Sequence, residues 1–428
     1  MHKTIAILGR QPALGIAELE SIYGAASIKS FGSHCLLQED ITKSYFRHLG
    51  GTIRVGTILA DIDATNWKTI EKRILDNSES LFPEVDGKLS FGVSAFGVKA
   101  SGKDISKTAL LLKKAIKSNG QSVRMVPQKG TELNAATVLY NKLTSERGVE
   151  LLIVSDGTKT IVAKTIAVQD IDAYAERDHG RPKRDAKVGM LPPKLAQIII
   201  NMAVGQFTTK TNGERDQIGA TTSSATSGIP DTTRERHSRQ ADINRAPLVL
   251  DAFCGTGVIL QEAMLMDYDV YGTDLEPRMI EYSIDNLKWL DTLYPDVGDY
   301  RRVEVGDATS FTWNSPETID YVAGETYLGQ PLSTLPPGDQ LSKIMHEVNN
   351  LHHKFLENIG SQLNSGTRLC LAIPTWRGKH EFLHLSVLDY LADLGYTRMR
   401  FEHVSDEDLI YHRENQVVGR ELLVLTKN

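Results

Sequence analysis

Cysteine is scarce in this chain. Cys35, Cys254 and Cys370 stand far apart among 428 residues. They form neither a paired zinc-ligand spacing nor a disulfide framework, so the sequence predicts a protein of a reducing compartment, the cytoplasm. Long apolar runs are missing too. Nothing approaches the roughly 18 residues that a membrane-spanning helix needs, so no membrane partner is expected. The opening MHKTIAILGRQPALGIAELE meets glycine, arginine and acids too early for a secretory leader. No histidine or cysteine stands in a nucleophile pattern, and no metal is expected. Net charge is also small, −6, but that value hides an asymmetry. Residues 246–428 hold 14 Lys and Arg against 28 Asp and Glu, while the remainder holds 34 against 26. A basic part suits a polyanion, and an acidic part suits a different ligand.

What is present centres on PLVLDAFCGTGVILQEAMLMDYDVYGTDLE, residues 247–276. Leu248 to Leu250 reads as a buried strand, Gly255 and Gly257 as a turn, and the run from Val258 as a helix. Val270 to Gly272 is a second strand, closed by Asp274. Strand, glycine turn, helix, strand and acid place a nucleotide-like ligand at the carboxyl edge of a parallel sheet. The third glycine of a dinucleotide fingerprint is absent, since position 260 is Leu, and Asp251 would repel a pyrophosphate. An acid there suits an ammonium group, such as the methionine end of S-adenosylmethionine. Asp274 can accept from both ribose hydroxyls. Asp307, after the strand RVEV, can accept from an adenine amine. Phe253, Leu275 and Ala308 flank these positions and are assigned to the cofactor with them. A fourth strand, Ile319 to Ala323, precedes GETYLG. The fold class expected is α/β, with a C-terminal Rossmann-like, largely parallel sheet ending in an antiparallel hairpin.

The preceding chain reads as two small α/β units, 1–86 and 87–170. The second contains a hairpin at DGTK and a basic run over 99–129. Lys113, Lys114 and Lys117 of that run are candidate phosphate contacts. A basic linker follows at 171–190, with Arg181, Lys183 and Arg184 as further RNA candidates. Pro193 opens a helix expected to pack beside the first cofactor strand, and is counted with the cofactor residues. Residues 191–428 form the last domain. Within it, 208–245 is polar and aperiodic and reads as a disordered insertion. Near the end, Pro374-Thr375-Trp376 reads as a loop, Phe382 to Leu394 as a helix, and Met399 to Val404 as a strand.

Several pieces together resemble a known family. They are AVQDIDAYAERDHGRPKRDAKVGMLPPKLAQIIINMA, DAFCGTG, the strand-end Asp274 and Asp307, GETYLG and YHRENQVVGRELLVL. The chain looks like the THUMP-containing tRNA guanine N2-methyltransferases, the archaeal and eukaryotic guanosine-10 enzymes and their bacterial relatives. The resemblance implies a ferredoxin-like N-terminal unit, a THUMP unit that docks the tRNA acceptor end, and a class I methyltransferase domain. The family's fourth motif is Asp-Pro-Pro-Tyr, or Glu-Pro-Tyr in some relatives. Here it is Glu325-Thr326-Tyr327. Threonine in place of a turn-shaping proline is expected to slow the reaction, and Thr326→Pro to quicken it.

The exocyclic amine of guanine is a poor nucleophile because its lone pair is delocalised into the ring. Glu325 can accept one N–H, and the carbonyl of Gly324 or Thr326 another. Tyr327 can stack on an extruded base. Glu325 and Tyr327 are therefore the expected catalytic residues. The same motif also fits other base amines, guanine N2 in rRNA or adenine N6 in DNA. It further fits an RNA-binding protein whose methyltransferase domain is catalytically weakened. The partner expected is tRNA or another structured RNA; an accessory protein is compatible with the reading, and no residue identifies one.

Overall fold

The structure, a computed structural model, describes residues 2–185, 190–206, 246–295, 297–313, 318–414 and 416–428. The expected insertion at 208–245, and Lys187 of the basic linker, lie outside the described residues. The chain divides into two units. One holds residues 1–181, 191–198 and 400–411, the other 182–190, 199–399 and 412–428.

In the first unit the strands are β1 (Thr4–Leu8), β2 (Ile28–Phe31), β3 (His34–Leu37), β4 (Thr52–Ile62), β5 (Leu89–Phe96), β6 (Val123–Met125), β7 (Gly148–Ser155) and β8 (Thr160–Val168). They form one mixed sheet in the order β2-β3-β1-β4-β8-β7-β5-β6. The β7–β8 hairpin turns at residues 156–159, with Ser155 opposite Thr160. Asp156 makes that turn, because its carboxylate accepts the N–H groups of Thr158 and Lys159 at 2.7 and 2.9 Å. β2 and β3 escaped the sequence reading, since four-residue strands are too short to display a period. The expected boundary at 86/87 falls within this sheet, where β4 pairs antiparallel with β8. Buried Glu150 on β7 ties the ladder together. It pairs with Arg54 of β4 and accepts from Ser94 of β5 and Thr165 of β8, both at 2.6 Å. Helix Gly102–Ser118 begins with a capping box between Ser101 and Asp104. It buries Ile105, Ala109, Leu112 and Ile116, which leaves Lys114 and Lys117 exposed and Lys113 half-buried.

The second unit contains β9 (Leu248–Asp251), β10 (Asp269–Asp274), β11 (Tyr300–Val305), β12 (Tyr321–Glu325), β13 (Arg368–Arg377), β14 (Phe382–Leu383), β15 (Tyr396–Arg398) and β17 (Val418–Lys427). The two-residue β16, Ile410–Tyr411, is grouped with the first unit. The sheet order is β11-β10-β9-β12-β13-β17-β15. The first five strands run parallel, while β17 pairs antiparallel with β13 and with β15. The fold is thus the expected Rossmann-like, largely parallel sheet with an antiparallel end. Strand order reverses at β9, which has β10 on one side and β12 on the other. That is the crevice position for a ligand in an open α/β sheet. Leu248, Val249 and Leu250 are completely buried, as a strand covered on both faces requires.

Three local expectations fail. Residues 374–376 are part of β13, not a loop. Pro374 lies two residues beyond Ala372, the last residue paired to β12, where one edge of β13 is open and proline is tolerated. The stretch 382–394 has helical spacing but forms β14 and a 3₁₀ turn, Ser386–Tyr390. Tertiary partners capture its backbone: Leu383 O accepts from the Thr375 hydroxyl at 2.9 Å, and Val387 N–H donates to Asn349 at 2.7 Å. The expected strand at 399–404 is replaced by β15, three residues earlier. Residues 400–411 go to the first unit, where Glu20 accepts the N–H groups of Glu402 and His403.

Candidate active site

Four acids stand at or just past the carboxyl ends of four adjacent parallel strands: Asp307 after β11, Asp274 on β10, Asp251 on β9 and Glu325 on β12. The glycine turn between β9 and helix Val258–Leu265 is built for close approach. Gly257 caps the helix at φ +81°, a left-handed conformation, and a Cβ there would stand 2.9 Å from Ser283 Oγ. Gly324 has another reason to be glycine. A Cβ there would meet Asp251 Oδ1 at 2.6 Å, so the residue lets β12 close on the acid of β9.

Asp251 is 2% exposed and accepts the Phe253 N–H at 3.1 Å. Burial pushes its pKa well above the carboxylate range, and the charges of Asp274 and Glu325 push the same way. Asp274 braces two turns, accepting Gly255 N–H and Glu276 N–H, each at 2.9 Å. Burial raises its pKa against those two bonds. Each of its oxygens keeps a second lone pair for a ligand hydroxyl. Asp307 is exposed, and one oxygen accepts from the Thr309 N–H and hydroxyl at 2.9 and 2.8 Å. Buried Asp251, with the carboxylates of Asp274 and Glu325 near it, fits a cationic ligand, which would offset the repulsion. Burial likewise drives the Cys254 thiol well up, so it is no thiolate nucleophile.

The remaining expected residues fall in varied places. Half-buried Phe253 packs edge-on against Phe355, with ring centroids 4.9 Å apart. Leu275 is exposed beside Asp274. Ala308 is buried, and its carbonyl accepts from Asn358 at 3.0 Å. Pro193 opens helix Pro193–Val204 and is grouped with the first unit, not with the strand ends. Tyr327 is 40% exposed just past β12. Arg181 corrects an expectation: at 3% exposure it is inside the first unit and is not a surface side chain for tracking phosphates. Arg184 is exposed. Lys183 is held at its backbone, where its N–H donates to Asn286 Oδ1 at 2.9 Å and its O accepts from Asn286 Nδ2 at 3.0 Å. The same Nδ2 reaches Thr256 O at 2.8 Å, so one amide ties the basic segment to the glycine turn.

Sequence reasoning missed four contributors. Ser283 Oγ donates to Gly255 O at 2.8 Å. Ser283 and Asn286 lie on the buried stripe of helix Pro277–Leu293 with Met279, Ile280, Leu287 and Leu290. Polar residues on an apolar stripe were the available signal. Arg420, on β17 and nearly buried, forms an ion pair with Glu325 through Oε1. His352, in helix Gly338–Gly360, meets the Thr326 hydroxyl at 2.7 Å. Neither pairing has a signal in sequence, since 95 residues separate the first pair and 26 the second. The Thr326 N–H also donates to Ala372 O at 3.1 Å. Proline at 326 would remove that donor, which works against the gain expected from Thr326→Pro. Among the described residues, no group of three or more His, Cys, Asp or Glu is placed to hold a metal, and no helix is long and apolar enough to cross a membrane.

No protein-family model matches the chain. Two curated relatives align with part of it. The tRNA (guanine(10)-N2)-dimethyltransferase of Pyrococcus abyssi (strain GE5 / Orsay) is 35% identical over 127 residues, 30% of this chain and 33% of the relative. The protein of the same name from Methanothermobacter thermautotrophicus is 32% identical over 126 residues, 29% of this chain and 32% of the relative. The match thus spans about a third of the length of these relatives. The solved structure of TrmN from Thermus thermophilus covers all of both chains with a TM-score of 0.51 at 15% identity, and the chain shares its fold.

Proposed function

We propose that the chain is an S-adenosylmethionine-dependent RNA methyltransferase acting on the exocyclic N2 amine of a guanosine in tRNA. The observation that carries this reading is the pairing, at the end of β12, of an oriented carboxylate with an exposed ring, Glu325 and Tyr327, beside the buried Asp251. The partial identity to two proteins named as tRNA guanine N2-dimethyltransferases supports the same choice of base and atom. Asp251, Asp274 and Asp307, with the turn at Gly255 and Gly257, would hold the cofactor. Phe253, Leu275 and Ala308 shape the walls around them. Bound there, S-adenosylmethionine supplies a methyl group carried on a sulfonium.

The chain's own residues do the rest. Arg420 engages Glu325 Oε1 and so aims the carboxylate, leaving Oε2 to accept an N–H of the guanine amine. A backbone carbonyl of the turn accepts the other, which localises the nitrogen lone pair. Tyr327 stacks on the extruded base. Such positioning is a large source of rate, with effective molarities on the order of 10⁵ M or more. The exposed lysines of helix Gly102–Ser118, and Lys183 and Arg184, supply cations for the RNA backbone.

The test uses the full chain, purified tRNA and labelled cofactor, with nucleoside mass spectrometry of the product. N2-methylguanosine is the expected product. Glu325→Gln should cut the single-turnover rate by roughly 10²-fold or more while cofactor affinity holds. Because that change also removes the counter-charge of the nearly buried Arg420, unfolding is measured beside the rate. A wild-type chain that binds cofactor and tRNA but transfers nothing sinks the enzyme reading and leaves an RNA-binding protein.

A further inference from the structure

Thr326 is buried between β13 and helix Gly338–Gly360, and it is the residue between Glu325 and Tyr327. Its hydroxyl has two acceptors within reach, His352 Nε2 at 2.7 Å and Ala372 O at 3.3 Å. One proton serves one good bond, and the shorter contact takes it. The histidine can accept only if Nε2 is bare. Its other nitrogen, Nδ1, lies 2.7 Å from Val348 O. A carbonyl oxygen accepts and never donates, so Nδ1 carries the ring proton and Nε2 is the acceptor. The ring is 2% exposed, and burial lowers its pKa to about 4 despite the Val348 bond, so it stays neutral near pH 7. Donor and acceptor are therefore matched along the whole path from Thr326 through the imidazole to the helix backbone. A buried histidine with both nitrogens committed is a stiff strut.

We propose that His352 is a positioning residue that, through the Thr326 hydroxyl, fixes the turn carrying Glu325 and Tyr327. This rests on the reading of that turn as the base-methylating site. The strut and Arg420 divide the task. Arg420 orients the Glu325 carboxylate, and His352 holds the backbone from which it projects. The sequence resemblance expects proline at 326, where φ would be restrained by a ring. Here the restraint comes from a side-chain bond to a neighbouring helix, and the amide remains free to donate to Ala372.

Two pairs of variants test this in the full chain. Thr326→Val keeps shape and amide but removes the donor, and His352→Leu removes the acceptor. Thr326→Ser and His352→Gln each keep a polar group able to remake the bond. Three quantities are read: single-turnover methyl transfer at saturating tRNA, the dissociation constant for tRNA, and the nitrogen NMR spectrum of the His352 ring. Val and Leu should each slow transfer by about tenfold or more with tRNA affinity changed less than about twofold, because a displaced reacting group costs rate and not binding. Ser and Gln should recover most of the rate, and the spectrum should show a neutral ring protonated at Nδ1. Thr326→Val at the wild-type rate, with or without a lower melting temperature, overturns the proposal. So does equal loss in Val and Ser, or a ring protonated at Nε2. If the wild type itself transfers no methyl group, the enzyme reading fails and takes the positioning role with it. An active wild type that is indifferent to these changes overturns the positioning role alone.

Discussion

At Thr326 the backbone and the side chain donate in different directions, the N–H to Ala372 O and the hydroxyl to His352. Any substitution there acts on both. Thr326→Pro loses both donors and strips Ala372 O of its nearest partner in a buried place. Leaving a buried carbonyl and imidazole unpaired costs about 1–3 kcal/mol each. Thr326→Pro should therefore lower the stability of the chain and slow methyl transfer, the reverse of what the family motif alone suggests. Denaturant unfolding of the two proteins, together with single-turnover rates, measures this. A faster and equally stable proline variant would mean that the Ala372 and His352 bonds contribute nothing.

Helix Pro277–Leu293 illustrates how an element turns packing into a site. Its pattern is amphipathic, and its buried stripe is where Ser283 and Asn286 sit. Helical geometry sets residues three apart on one face, so both side chains reach the glycine turn together, Ser283 at Gly255 O and Asn286 at Thr256 O. Asn286 also holds Lys183 at both its N–H and its carbonyl. Arg278 adds a second tie to the same segment through Asp185 at 2.8 Å. Asn286→Ala removes three bonds at a buried position. It should destabilise the chain by about 1–3 kcal/mol and weaken S-adenosylmethionine binding by a similar amount, since the turn loses its brace. Calorimetry with the cofactor, beside a denaturant melt, is the measurement. Unchanged cofactor affinity in the alanine variant would show that the turn holds its shape unaided.

Across the whole molecule charge is segregated by sequence position, with the excess of Lys and Arg before residue 246. The first unit carries a basic crevice of about 850 Å³ that the sequence did not reveal, lined by Lys88, Arg124, Lys142 and Arg147, with Tyr140 85% exposed at it. It lies in the first unit and not at the acidic strand ends. Its cations come from β6, from the run just before β5 and from the loop ahead of β7; of the four only Arg124 falls in the basic run 99–129, so that run does not mark the crevice. Binding of tRNA should weaken steeply with salt, by a slope of about 0.7–0.9 per phosphate neutralised. Neutralising Lys113, Lys114 and Lys117 together should flatten that slope, as should neutralising Arg124 and Arg147. If only the second pair flattens it, the outer face of helix Gly102–Ser118 is merely solvated and the crevice is the docking surface.

The sequence by itself determined the class of sheet, the turn at Gly255 and Gly257, and the acids Asp251, Asp274, Asp307 and Glu325. These are local facts: an apolar run makes a buried strand, a glycine permits a left-handed turn, and an acid at a strand end lands on the ligand edge. The hairpin at 156–159 was legible for the same reason, because its turn chemistry lies within four residues. Only the tertiary structure decided which groups hold those acids and the turn after β12. Arg420 meets Glu325, and His352 meets Thr326, across gaps that no periodicity spans. It also decided that 382–394 is not a helix and that Arg181 is buried. At Glu325, at Thr326 and along 382–394 a long-range partner captured a polar group. Burial makes such partners obligatory, and which partner is available depends on where the rest of the chain has gone.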